Sequence, residues 1–101
     1  MWKGLFLTAS LTFTGTSQAA EYCKMKQYRD GELVARESVL VNDRQDSFSV
    51  KTSQTFFNSP LLSNGYAVDR QGVEYRHGTM KSGKLWITLP WLKVILHIDC
   101  N

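Results

Sequence analysis

Residues 84–100 read K-L-W-I-T-L-P-W-L-K-V-I-L-H-I-D-C, the most apolar stretch beyond the first nineteen residues. Leu85, Ile87 and Leu89 alternate with other neighbours, and so do Leu92, Val94, Leu96, Ile98 and Cys100. A period of two marks strands with one buried face. Pro90 lacks a ladder donor, so it marks the break between the last two strands. The outward face of the final strand then carries Trp91, Lys93, Ile95, His97 and Asp99.

Working outward, Cys100 shares the inward face of that strand. The chain's other cysteine, Cys23, alternates with Met25 on one face of residues 22–28, near the opposite end. Both sulfurs therefore fall on the core side, and the first and last strands are expected to be neighbours joined by a disulfide. Two cysteines in a small exported chain pair by default, with a single connectivity. The closed loop spans nearly the whole domain, and the chain-entropy account gives an upper figure of about 4–5 kcal/mol. There is no C-x-x-C for redox work and no second cysteine pair for zinc. Pairing the first strand with the last would also close the sheet and remove both edges.

Export is read from residues 1–19. Met1-Trp2-Lys3 is a short basic start, residues 4–15 are an apolar run diluted by threonine, and Ser17-Gln18-Ala19 puts small residues where a signal peptidase reads. The run is shorter than the roughly 20 residues that a spanning helix needs. Tyr22 before Cys23 does not fit lipoprotein processing, so the expectation is a cleaved, unanchored product of residues 20–101, periplasmic or secreted. With one domain of this size, the core is modest and the disulfide matters for folding.

The remaining segments fit the same architecture. Asp30-Gly31 is a hairpin-turn dipeptide. Residues 33–41 put Leu33, Ala35, Val39 and Val41 on one face, with a helix as the competing reading; β-branched Val39 and Val41 favour a strand. Residues 47–53 turn Phe48 and Val50 inward, and residues 55–57 suggest a short fourth strand. Residues 58–65 are a loop by composition, and residues 66–68 and 73–77 are short strands about the turn at residues 69–72. The expected fold is all-β: a small antiparallel barrel or sandwich of seven or eight short strands, closed by the Cys23–Cys100 disulfide.

Charge excludes little. Lysine and arginine number 12 against 9 acids, for a net charge of +3. The signs are interspersed, whereas a nucleic-acid binder normally shows a basic stripe. Candidate chemistry is sparse. His97 and Asp99 share a strand face, which suggests a small hydrolase as the least favoured function. No His/Cys/Asp cluster has metal-ligand spacing, no serine lies in G-x-S-x-G or S-x-x-K surroundings, and the glycines suit turns better than a phosphate loop. The expectation is no catalysis, no cofactor and no metal.

Binding remains. Phe56, Phe57, Leu61 and Leu62 are large apolar residues in a segment that reads as loop. They either plug one end of the barrel or meet a partner. A second candidate is the basic rim Arg70, Arg76, His77, Lys81 and Lys84 near Trp86, suited to an acidic partner or an anionic glycan. Its competitor is an ordinary solvated face, with Asp69 and Glu74 between the bases.

In order, Glu21-Tyr22-Cys23, Gln71-Gly72-Val73-Glu74-Tyr75 and Cys100 resemble the early Tyr-x-Cys, the Ser-Gly-x-x-Tyr and the late cysteine of small periplasmic lysozyme inhibitors. That resemblance implies an eight-stranded barrel. It covers about a tenth of the chain, Gln71 replaces the serine, the tyrosine beside Cys23 is displaced by one residue, and no Phe-Trp-x-Lys-Gly is present. The expectation from the residues is an exported binding protein of inhibitor or immunity type whose partner is another protein. The alternative is a structural or accessory factor of the cell envelope.

Overall fold

The structure is a computed structural model that describes residues 20–79 and 83–100. The expected leader, residues 1–19, and the candidate Lys81 lie outside the described residues. The strands are β1 (Glu21–Arg29), β2 (Glu32–Asp43), β3 (Phe48–Lys51), β4 (Phe56–Asn58), β5 (Tyr66–Val68), β6 (Glu74–His77), β7 (Lys84–Leu89) and β8 (Val94–Asp99), with a 3-10 turn at Pro90–Leu92. Asp30 and Gly31 take φ of 52° and 83° between β1 and β2, the left-handed pair that a two-residue hairpin requires. Residues 33–41 are thus strand, as their β-branched content favours.

All neighbours are antiparallel, and the eight-stranded sheet runs β4-β3-β2-β1-β8-β7-β6-β5 as a half-barrel. The first and last strands pair, with Met25 opposite Ile98. Cys23 and Cys100 are bridged, their Cα atoms 4.5 Å apart. That pairing does not remove the edges, contrary to the expectation. β1 has β2 on its other side and β8 has β7, so the first and last strands meet mid-sheet and the edges fall to β4 and β5.

Side chains hold the curl instead. The Phe48 ring of β3 meets Tyr75 of β6 edge-on, with centroids 5.8 Å apart. Residues 59–65 span from β4 to β5, pinned where Leu62 N–H donates to the Asp46 carbonyl at 2.7 Å. The core on the inner face includes Val39, Val41, Phe48, Val50, Leu85, Ile87 and Ile98, all essentially without solvent exposure. Burying one such side chain is worth about 1.5–3 kcal/mol.

Three residues expected inward are exposed. Leu92 lies in the 3-10 turn and is 48% exposed. Pro90 presets the φ of a helical first position, Lys93 follows at φ 55°, and the alternation restarts only at Val94. Leu33 is also displaced. The register slips between Gln27 and Tyr28, leaving Val34 as the additional residue and pairing Leu33 with Tyr28 on the outer face. A bulge of this kind inverts the faces beyond it. Ala35 keeps its register with Gln27 but is exposed.

Candidate functional site

The outer face of the sheet carries one continuous row. In register across successive strands stand Arg36, Lys26, His97, Trp86, Arg76 and Tyr66. Period two puts them there: each alternates with an inward residue such as Met25, Ile98, Leu85 or Tyr75. The contacts along the row are ordered. The rings of Trp86 and His97 stack at 5.4 Å with planes 14° apart. The Arg76 guanidinium lies 5.0 Å from the Tyr66 ring centroid, a geometry in which the ring quadrupole attracts the cation. Beside the row, Lys84 approaches Asp99 at 3.9 Å.

The basic rim read from sequence is only partly assembled here. Arg76 and Trp86 are directly opposite each other, and Lys84 is two residues from Trp86 on the same face of β7. Arg70 sits in the β5–β6 turn, at the other end of β6 from Lys84. His97 and Asp99, read as a separate face, belong with Trp86 and Lys84. Tyr66, Lys26 and Arg36 were not singled out in sequence. Only the strand order brings them into the row, since β1 and β2 lie far from β5 and β6 in the chain.

Residues 56–62 divide by alternation. Phe57 and Leu62 pack against the core, while Phe56 and Leu61 are 61% and 74% exposed. Buried Ser59 anchors the segment: its hydroxyl accepts from Phe48 N–H at 2.9 Å and donates to the Pro60 carbonyl at 2.9 Å. The stretch is half plug and half surface.

The histidines have different surroundings. His77, expected on the basic rim, instead faces inward opposite Leu85, because it falls on the other phase of β6 from Arg76; its Nε2 lies 2.9 Å from the Asp43 carboxylate and its Nδ1 2.6 Å from the Gly78 carbonyl. A ring held between two acceptors has no nitrogen left to activate a nucleophile, so this Asp–His pair ties β6 to the end of β2. No hydrogen bond joins His97 to Asp99 among the described residues, and His97 Nε2 is buried without a partner. Tyr75 donates to Asp69 at 3.0 Å. Burial first, then that hydrogen bond and the Asp69 charge, hold its phenol above the usual tyrosine range, keeping it a neutral donor that braces the β5–β6 turn. Among the described residues, Glu21, Cys23 and Cys100 are the only trio with metal-ligating atoms grouped together. The disulfide takes both sulfurs and leaves no thiolate to ligate.

No helix among the described residues is long and apolar enough to cross a membrane. No protein-family model, curated protein or solved structure matches the chain.

Proposed function

We propose that this is an exported binding protein of the inhibitor or immunity type, acting by protein–protein contact through the outer sheet face rather than by catalysis. The observation that carries the reading is the row Tyr66, Arg76, Trp86 and His97, with Lys26 and Arg36 beyond it. Aromatic and arginine side chains supply most of the anchor energy of protein interfaces, and flanking charges steer association. Rings already stacked in the free chain lose little rotamer freedom on binding. The Cys23–Cys100 bridge supports a periplasmic or secreted location, because such bonds persist in oxidising compartments.

A structural or accessory envelope factor is the second reading. The edges at β4 and β5 favour it: among the described residues no strand covers them, although Ser63 already bridges Tyr66, and an uncovered strand can accept a partner's strand. A pull-down with oxidised mature protein separates the two. Contact through the outer face requires the partner to be retained by the natural chain and lost by an Arg76→Ala/Trp86→Ala variant with an unchanged circular dichroism spectrum. Retention by that variant, with loss on Val68→Pro in β5, where the Val68 N–H points away from β6, would favour strand addition.

A further inference from the structure

We propose that the outer-face groove lined by Lys24, Lys26, Arg36 and His97 receives the carboxylates of an extended acidic segment of the partner protein. The proposal rests on the reading above that the chain works by protein contact, and it adds the chemistry of the partner. The groove has a volume of about 580 Å³ and lies across β2, β1 and β8. Lys26 stands in register between Arg36 and His97, and Lys24 lies two residues along the same strand face, opposite Ser38 and Asp99. Like charges directly opposite on a sheet are destabilising, yet Arg36 faces Lys26.

Among the described residues, no carboxylate pairs with Lys24, Lys26 or Arg36. The acids that line the groove are engaged elsewhere. Asp99 lies 3.9 Å from Lys84, and the Glu37 carboxylate accepts from Ser53 N–H at 2.8 Å. Lysines often blunt the edge of a sheet, but β1 is an interior strand between β2 and β8, so these lysines do no such work. His97 supplies an independent observation. Its Nε2 is shielded from solvent and has no hydrogen-bond partner, a state that carries the desolvation penalty of an unmade bond. An anionic oxygen seated in the groove beside the His97 ring answers the crowded cations, and a turn of that ring on binding would give Nε2 the partner it lacks.

Spacing selects the anion. The backbone positions of the cations are spread over the face, with Lys26 opposite Arg36 and Lys24 two residues along β1, and a comparison with inorganic phosphate tests a single anion against a row of them. Lys24 and Lys26 are strung along one strand, where same-face side chains recur every ~6.6 Å. Acidic residues at alternate positions of an extended polypeptide recur at the same interval. The complement of this groove is therefore a strand-like segment with Asp or Glu at every second position.

The test uses the oxidised mature protein and a short peptide of alternating Glu and Thr, with a Gln–Thr peptide and inorganic phosphate as comparisons. The Glu peptide is expected to bind, to shift the His97 ring resonances, and to weaken as salt rises. A Lys26→Gln/Arg36→Gln variant should bind it about tenfold more weakly, the loss expected for two exposed charge pairs, without a fall in melting temperature. Equal binding of the Gln peptide, indifference to the double variant, or binding of phosphate alone would overturn the proposal. A partner held equally by the natural chain and the double variant would overturn the groove and leave the contact reading standing. Peptide bound in the groove with no envelope or secreted protein captured would uphold the groove's chemistry and defeat the contact reading.

Discussion

Ser59 is a polar residue in the interior, and its two hydrogen bonds account for it. Its hydroxyl is the acceptor for Phe48 N–H, at the start of the strand that carries a fully buried ring. Ser59→Ala leaves that amide buried without its partner. The expected loss is about 1–3 kcal/mol, measured by chemical denaturation. Gly65 is constrained in another way. It takes φ +75°, and a Cβ built there would lie 2.9 Å from the His77 carbonyl oxygen. Gly65→Ala should therefore destabilise by about 1–3 kcal/mol, from left-handed strain plus the close approach. The glycine was legible as the end of an Asn-Gly turn. Ser59 was not, because a serine in a polar loop carries no mark of burial; only the fold of residues 59–62 under the end of the sheet shows it.

At the level of elements, alternation was readable wherever the backbone stays regular. Val94, Leu96 and Ile98 point inward, as do Leu85 and Ile87 and the pair Cys23 and Met25. It failed at Leu92 and Leu33, and for one physical reason. A 3-10 turn at Pro90–Leu92 and a bulge opposite Gln27 and Tyr28 each break the two-residue period, and a period-two reading has no sensitivity to an inserted residue. The distinction is measurable. Leu96→Ala should cost about 2–5 kcal/mol by transfer and cavity terms, whereas Leu92→Ser, in the exposed turn, should stay within about 0.5 kcal/mol. Equal losses would mean that the strand runs unbroken through Pro90. The candidate surface was less legible than the core for a related reason. Trp86 and Arg76 stand out by residue type, but Tyr66 and Lys26 join them only through strand order, which alternation does not encode.

At the scale of the molecule, the first and last strands meet mid-sheet and the bridge closes a loop of nearly the whole domain. Replacing Cys23 and Cys100 by serine removes up to about 4–5 kcal/mol in the chain-entropy account. The variant should melt at lower temperature yet keep a β-sheet circular dichroism spectrum, because β1 and β8 remain hydrogen-bonded neighbours. Mass spectrometry of natively purified protein should find no free thiol; two would contradict the bridge. The same half-barrel offers two chemically different surfaces to a partner, and bulk conditions separate them. The outer row is cationic, with Arg76, Lys26 and Arg36 interleaved with rings, so association through it relies on long-range attraction. It should slow markedly as salt rises past about 0.15 M, where the screening length is about 8 Å. Exposed Phe56 and Leu61 would instead bind nearly independently of salt, with a negative heat-capacity change from apolar burial. Calorimetry at two temperatures and two salt concentrations, on the captured partner, is expected to show the salt-dependent pattern. Salt-independent binding that survives Arg76→Ala/Trp86→Ala and is lost on Phe56→Ser/Leu61→Ser would move the contact surface to the exposed half of residues 56–62.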